Sequence, residues 1–211
     1  MSAGAAFPVV VAAPSGTGKT TVCREVVARD GRIVFSVSHT TRPRRPGEVD
    51  GVDYHFVDEQ EFRRLIRDGA FLEWAEYNGN HYGTSLASLE PPLAAGRDVL
   101  LEIEVQGARQ VRARRPDARF IFLMPPSFDA LRRRLAKRGT DAAEEVERRL
   151  RVARQELSAV RDFDYAVVND DLETCVADVL AILAGERSGE CAALRRRFDP
   201  ARGALPRAEA G

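Results

Sequence analysis

The chain has 211 residues, of which 44% are hydrophobic and 30% charged, values typical of a globular protein long enough to bury a core. Its 32 basic residues balance 32 acidic ones, which argues against a surface built throughout for nucleic acid or membranes, and we expect neither as a partner. Three widely spaced cysteines form neither a disulfide framework nor a zinc pattern. Without a signal-peptide pattern or a long apolar run, the sequence predicts a cytoplasmic protein.

Short apolar runs alternate with amphipathic segments along most of the chain. In chain order, the first half predicts strand 7–12, helix 19–28, strand 32–37, strand 54–57, helix 58–68, strand 71–77 and helix 86–95. The second half predicts strand 99–105, helix 107–115, strand 119–124, helices 128–137 and 141–160, strand 165–169 and helix 172–186. This alternation predicts an α/β fold around a parallel sheet flanked by helices.

Two parts of the chain depart from that alternation. Residues 38–97 combine short strands with polar loops at 39–53 and 77–84, which is typical of an insertion. Residues 188–211 are rich in Ala, Arg, Gly and Pro and show little periodicity, so we expect a poorly ordered tail there.

A phosphate-binding loop is predicted between the first strand and the first helix. Residues 13–20 read APSGTGKT, a Walker A pattern with Ala13 where glycine is usual. In such a loop, backbone N–H groups and the helix N-terminus surround phosphate oxygens, Lys19 neutralises the β- and γ-phosphates, and Thr20 offers a hydroxyl to Mg²⁺. The alternative, a glycine-rich turn with a chance lysine, does not explain the strand before the loop and the helix after it.

Two acidic residues lie near the end of the predicted strand 99–105. In a strand, Glu102 and Glu104 would point to the same face, where one carboxylate could hold the water shell of a metal and the other reach a substrate. Taken alone, the pair equally fits ordinary acids at a strand end. Because it follows a Walker A loop, it resembles a Walker B strand.

Three arginines lie close together in residues 38–48, which read SHTTRPRRPGE. Arg42, Arg44 and Arg45 can each bind phosphate through two parallel hydrogen bonds, and Tyr54 follows with a hydroxyl donor. This cluster predicts a phosphate-binding loop. On these residues alone, the alternative of a solvated basic loop stays open.

The motifs occur in an order that resembles guanylate kinases. The P-loop is followed by S-x-T-T-R-x-x-R-x-G-E, G-x-x-Y-x-F, F-x-E-W-A, N-x-Y-G-T, E-I-E-V-Q-G, R-R-L-x-x-R-G, R-R-L and V-V-N-D-D. A P-loop alone indicates only nucleoside triphosphate binding, whereas this ordered set is specific and covers residues 7–187. The resemblance implies a P-loop NTPase-type domain with a core (7–37, 98–128 and 161–187), an inserted mixed GMP-binding region (38–97) and a helical lid (129–160).

The resemblance also implies which residues bind GMP. Guanine recognition corresponds to Ser38, Glu73, Thr84 and Glu104, and the GMP phosphate to Arg42, Arg45, Tyr54 and Tyr82. Many members have proline directly before the second phosphate arginine, whereas here Arg44 precedes Arg45. The choice between these two arginines therefore stays open.

An ATP site built on the P-loop is implied in the same way. Its positions are Ala13, Pro14, Ser15, Gly16, Thr17, Gly18, Lys19, Thr20, Thr21, Arg134, Arg138 and Asn169. The surroundings of Mg²⁺ correspond to Thr20 and Glu102, and the catalytic cations to Lys19, Arg42, Arg138 and Arg149. Many members have aspartate where Glu102 and Glu104 stand, so the charge is kept and the reach grows by one methylene.

The implied activity is transfer of the γ-phosphoryl group of Mg²⁺-bound ATP to GMP, and to dGMP, in purine nucleotide metabolism. The expected partners are therefore small molecules. One alternative is a non-catalytic guanylate-kinase-like scaffold, which the intact Lys19 and Thr20 disfavour. The other is a P-loop kinase for a different phosphorylated acceptor, which Glu73 together with Thr84 disfavours.

Overall fold

The computed structural model describes residues 5–77, 79–136 and 143–202, without the side chains of 143–145. The strands are β1 Pro8–Ala12, β2 Ile33–Phe35, β3 His39–Thr40, β4 His55–Phe56, β5 Phe71–Tyr77, β6 Asn80–Ser85, β7 Asp98–Glu102, β8 Arg119–Met124 and β9 Tyr165–Val168. The helices are α1 Lys19–Arg29, α2 Glu59–Arg67, α3 Leu86–Ala94, α4 Val105–Arg114, α5 Phe128–Ala136, α6 Ala143–Ser158, α7 Leu172–Ser188 and α8 Ala192–Arg197. A 3₁₀ turn at Ala159–Asp162 follows α6.

The strands form two sheets, and the predicted α/β fold is confirmed. The five-stranded sheet has the order β2-β7-β1-β8-β9, and its pairs β2–β7 and β8–β9 are parallel. The second sheet has the order β4-β3-β6-β5 and mixes parallel with antiparallel pairs. Among the described residues, no helix combines the length and apolar character needed to cross a membrane.

The chain divides into two compact units. Unit 1 contains Val11–Asp30 and the chain from Arg119 onward, and unit 2 contains Ala6–Val10 and Gly31–Ala118. The division falls inside β1, whose residues are all buried. The units are described separately below.

Unit 1 carries the P-loop on an apolar core. Helix α1 buries one face of its amphipathic sequence and packs against α7. The buried β8 runs parallel to β9, from the pair Ile121–Tyr165 to the pair Met124–Val168. Helices α5 and α6 share a buried apolar cluster formed by Leu131, Leu135, Val146, Leu150 and Ala153. These contacts fix the elements that surround the loop.

Unit 2 is built around the antiparallel pair β5–β6. Glu73 pairs with Thr84 in its register, and the register shifts between Phe71 and Glu73. The rings of Phe62, from α2, and Phe71 lie 4.6 Å apart between their centroids, and both side chains are buried. The hairpin is therefore anchored on an apolar surface that α2 covers.

Three local predictions are wrong. The polar segment 77–84 is not a loop, because Asn80–Ser85 forms β6. The loop predicted at 39–53 contains the short strand β3 and a bridge between Asp50 and Tyr54. The strand predicted to residue 105 ends at Glu102, because Glu104 is the N-cap of α4. Glu102 and Glu104 thus do not share the face of one strand.

The prediction of a poorly ordered tail is wrong for residues 188–202. Helix α7 continues to Ser188, and α8 follows it. Phe198 is buried, and its carbonyl accepts a hydrogen bond from the Ala166 N–H of β9 at 2.8 Å. Tertiary contacts such as these order a segment whose composition alone does not predict structure. Residues 203–211 lie outside the described residues.

Candidate active site

The P-loop begins α1 in unit 1, as predicted. The Thr17 N–H donates to the Pro14 carbonyl at 3.1 Å, and Gly16 and Gly18 adopt positive φ angles of 89° and 94°. Gly18 is the N-cap of α1 and has no side chain with which to cap it, and the first turn of the helix contains no acidic residue. A helix N-terminus of this kind carries partial positive charge on its N–H groups and binds phosphate.

The glycines of the loop are required by close packing as well as by φ. A Cβ at Gly16 would lie 2.7 Å from Leu135 Cδ2 and 3.1 Å from Leu131 Cδ1, so the loop lies directly against α5. A Cβ at Gly18 would lie 2.8 Å from Asn169 Nδ2. Any side chain at these positions would move the loop or its neighbours.

Two predicted ATP-site residues hold the backbone of the loop. The Thr17 carbonyl accepts hydrogen bonds from Asn169 Nδ2 at 2.7 Å and from Arg134 Nη1 at 3.2 Å. Arg134 Nη2 also donates to the Asn169 carbonyl at 3.0 Å. Arg134 and Asn169 therefore link the P-loop to the end of β9.

A third predicted residue, Arg149, reaches the loop from α6. Its Nη2 donates to Ser15 Oγ at 2.7 Å. The resemblance predicts lid arginines that close on phosphates, and in this structure Arg134 and Arg149 bind atoms of the loop itself. The predicted residue Arg138 lies outside the described residues.

The remaining P-loop positions differ in exposure. Ala13 and Pro14 are buried, whereas Lys19 is half-buried at the first position of α1, and Thr20 and Thr21 are exposed in its first turn. An exposed threonine hydroxyl in this turn has the donor chemistry that suits Mg²⁺, which prefers oxygen ligands.

A buried carboxylate dominates the predicted guanine site in unit 2. Glu73 is only 4% exposed, and its Oε1 accepts hydrogen bonds from the Thr84 N–H at 3.0 Å and from Thr84 Oγ1 at 2.6 Å. The two residues are paired across β5 and β6. An ionised carboxylate accepts hydrogen bonds and donates none, so Glu73 suits a ligand edge that presents hydrogen-bond donors.

The other predicted guanine-site residues lie at strand and helix ends of unit 2. Ser38 directly precedes β3, and its carbonyl accepts from the His55 N–H at 2.9 Å. Glu104 is the N-cap of α4 and half-buried, and Glu102 ends β7. The structure therefore places Glu102 at the end of β7 and Glu104, two residues later, at the start of α4.

The predicted phosphate cluster forms around Arg42. Its Nη2 pairs with Glu48 Oε1 at 2.7 Å, and its guanidinium lies 5.5 Å from the ring centroid of Tyr54. The Tyr54 and Tyr82 rings lie 6.1 Å apart. The hydrogen bond with Glu48 raises the pKa of Arg42 and lowers the pKa of Glu48, so both groups are held in their charged forms.

The structure does not separate the two neighbouring arginines. Arg44 and Arg45 are both exposed, and the Arg45 N–H donates to Glu48 Oε2 at 2.8 Å. Glu48, which the sequence analysis did not single out, therefore organises this loop through both of its oxygens. Glu48 is the last residue of the S-x-T-T-R-x-x-R-x-G-E motif, and this place in the motif could have indicated its importance.

Sequence reasoning also missed one face of α4. Gly107, Gln110 and Arg114 contact β5, the strand that carries Glu73. Gly107 offered a signal, because a glycine inside a helix costs about 1 kcal/mol relative to alanine and often has a packing or functional reason.

Comparison with known proteins gives one consistent result. The family model described as "Guanylate kinase" matches residues 5–186. The guanylate kinase of Alkalilimnicola ehrlichii is 51% identical over 178 residues, which cover 84% of this chain and 88% of that protein. The guanylate kinase of Thermus thermophilus is 54% identical over 178 residues, covering 84% of this chain and 80% of that protein.

The fold agrees with a solved structure. The crystal structure of guanylate kinase from Anaplasma phagocytophilum matches with a TM-score of 0.74 and 35% sequence identity, covering 92% of this chain and 93% of that chain.

Proposed function

The chain belongs to the guanylate kinase family, and on that premise we propose that it transfers the γ-phosphoryl group of ATP to GMP, giving ADP and GDP. We also propose dGMP as a second acceptor and purine nucleotide metabolism as the setting. The buried pair of Glu73 and Thr84 is the observation that carries the choice of acceptor.

A guanine base fits the Glu73 carboxylate. Its N1–H and 2-amino group are neighbouring donors on one edge, and a carboxylate can accept from both. Adenine has an acceptor at N1 and only hydrogen at C2, so it would bring no donor to the buried carboxylate and would face it with a lone pair. Sites that leave a buried polar group unpaired discriminate by about 10⁴–10⁵. Ser38 and Glu104 complete the proposed base site.

The GMP phosphate is assigned to the arginine cluster. Arg42 and Arg45 would bind its oxygens, with hydroxyl donors from Tyr54 and Tyr82. Since Glu48 already neutralises Arg42 in the structure, a phosphate would compete with that carboxylate for the guanidinium. The phosphate dianion of GMP can make charge-assisted hydrogen bonds to the arginines that guanosine cannot make, so GMP would bind more strongly than its uncharged nucleoside.

The donor substrate is Mg²⁺-bound ATP. Residues 13–21 would bind its phosphates, Arg134, Arg138 and Asn169 would contribute to the same site, and Thr20 and Glu102 would lie in the surroundings of the ion. The place of this loop at the N-terminus of α1, with Gly16 and Gly18 at positive φ, supports this assignment.

Phosphoryl transfer to GMP requires little proton chemistry. The acceptor is a phosphate oxygen that is already anionic at pH 7, so the reaction depends on positioning and on neutralising charge. Lys19, Arg42, Arg138 and Arg149 are the proposed catalytic cations. A lid at 129–160 would limit the access of water and hence ATP hydrolysis.

The division into a core, a GMP-binding region at 38–97 and a lid at 129–160 is part of the same proposal. Cytoplasmic location and small molecules as the only partners stay predictions from the sequence.

An acceptor screen tests the proposed function. ADP production from Mg²⁺-bound ATP is measured with GMP, dGMP, AMP, CMP, UMP and guanosine as acceptors. We expect turnover with GMP and dGMP, and little with the others. If none of these acceptors is phosphorylated, the result favours a non-catalytic scaffold. A preference for another monophosphate favours a P-loop kinase with a different acceptor.

A further inference from the structure

We propose, on the basis of the proposed function, that α4 positions the base-reading carboxylate of Glu73, and that Gln110 is the positioning residue through which it does so. All of the residues involved lie in unit 2.

The strand that carries Glu73 lies at the edge of its sheet. In the order β4-β3-β6-β5, β5 has a strand partner on one side only among the described strands. The Gln110 side chain binds along β5: its Nε2 donates to the Trp74 carbonyl at 2.7 Å, and the Trp74 N–H donates to its Oε1 at 3.3 Å. One amide side chain thus makes the pair of bonds that a neighbouring strand would make.

A second contact lies on the other side of Glu73 in the strand. Arg114 Nη1 donates to the carbonyls of Phe71 and Leu72, both at 2.9 Å. The β5–β6 register shifts between Phe71 and Glu73, so the ladder is irregular there. Gln110 and Arg114 therefore hold the backbone on both sides of the carboxylate.

The carboxylate itself lies against the same helix face. A Cβ built at Gly107 would overlap Glu73 Oε2 and lie 3.1 Å from its Cδ. Gly107, Gln110 and Arg114 are spaced i, i+3 and i+7, which places them on one face of α4. Glu73 is thus fixed by Thr84 from β6 and by the backbone surface of α4.

The position of the Glu73 carboxylate affects which base the site prefers. The 2-amino group of guanine is recognised only if the carboxylate lies within hydrogen-bond distance and in the right plane. Hypoxanthine has no 2-amino group, so a nucleotide that carries this base loses less binding energy than GMP when the carboxylate moves. Loosening β5 should therefore weaken the preference for GMP over inosine monophosphate, beyond any general loss of activity.

The test compares Gln110→Ala with Gln106→Ala, a matched control. Gln106 is exposed on the same helix and is not one of the α4 residues shown above to contact β5, so its variant removes the same amide from a different position. The readout is kcat/KM for GMP divided by kcat/KM for inosine monophosphate, which does not depend on the fraction of active protein. We expect a fall of about fivefold or more in Gln110→Ala, since a displacement of about 1 Å can cost about 10²-fold, and no change in Gln106→Ala.

A second variant covers the case in which Gln110→Ala does not fold. Gln110→Glu keeps the shape of the side chain but cannot donate to the Trp74 carbonyl, so we expect the same fall in the ratio. An unchanged ratio in a folded Gln110 variant, or an equal fall in Gln106→Ala, overturns the positioning role. Wild-type protein that does not phosphorylate GMP overturns the proposed function instead.

Discussion

At the scale of single residues, the buried carboxylate of Glu73 carries the proposed choice of base. Glu73→Gln keeps the size of the side chain, but its amide nitrogen would face a guanine donor. We expect the KM for GMP to rise on the order of tenfold or more, with the KM for ATP little changed. Steady-state kinetics in which each nucleotide is varied in turn measure both constants.

Glu76→Gln is the matched control for this prediction. Glu76 lies on the same strand and is exposed, so the substitution leaves the buried carboxylate in place. An unchanged KM for GMP in Glu73→Gln, or an equal rise for both nucleotides, would show that Glu73 does not read the base.

A substitution of Lys19 tests the proposed ATP site. Lys19 is the first residue of α1, and we propose that its ammonium group neutralises charge that moves with the γ-phosphoryl group. For Lys19→Ala we expect kcat to fall by about 10²–10³, with GMP binding retained when measured by calorimetry. Arg24→Ala, an exposed cation on the same helix, should keep wild-type activity. A Lys19 variant that turns over as fast as this control would remove Lys19 from the site.

At the scale of elements, the sequence predicted those whose pattern is strong and local. The apolar run of β1 and the capping of α2 are examples: Asp58 accepts from the Glu61 N–H at 2.8 Å, as its position before the helix predicts. β6 was missed because its residues, NHYGTS, are polar and contain glycine. Its pairing with β5 on one side and β3 on the other decides its conformation, and no local pattern reports that pairing.

The residues of the candidate site also divide into those that a local sequence pattern predicts and those that it does not. Lys19 and the loop around it could be predicted because the Walker A spacing follows from the geometry of phosphate binding. The α4 face at Gly107, Gln110 and Arg114 could not, because its partners lie 34 to 43 residues away in sequence and the contacts depend on tertiary packing. Gly107 is 34 residues from Glu73, and Arg114 is 43 from Phe71.

Helix α7 offers a prediction about pH. Asp171 is its N-cap and accepts from the Thr174 N–H and Oγ1, both at 2.8 Å; the backbone bond is the main reason that the pKa of Asp171 is lowered. A lowered folded-state pKa means that the stabilisation is present above the unfolded-state pKa and is lost as the pH falls through the folded value. The difference in melting temperature between wild type and Asp171→Ala should therefore shrink as the pH falls from about 5 to about 3.

Asp170→Ala controls for the loss of one acidic charge beside the helix, since Asp170 is exposed and is not the cap. A difference for Asp171→Ala that is constant with pH, or equal to that for Asp170→Ala, would show that the cap does not stabilise α7 through its charge.

At the scale of the whole molecule, the segment after α7 acts as part of unit 1. Arg195 Nη2 pairs with the buried carboxylate of Glu186 at 2.8 Å, and the same carboxylate accepts from the Tyr165 hydroxyl of β9. Leu194 lies so close to Gly185 that a Cβ there would overlap it. Together with the Ala166–Phe198 hydrogen bond, these contacts cover the outer edge of β9.

Removal of residues 190–211 should therefore destabilise the protein. It exposes the edge of β9, the strand that leads to Asn169 and thus to the Thr17 carbonyl, and it removes the buried ring of Phe198. Phe198→Ala alone removes burial that is typically worth about 3 kcal/mol, so we expect the melting temperature to fall by about 5–10 °C in that variant and further in the truncation. Deletion of residues 203–211 leaves every one of these contacts in place and serves as the control. If the truncation at 190 melts at the wild-type temperature, the C-terminal segment does not support β9, and the P-loop does not depend on it.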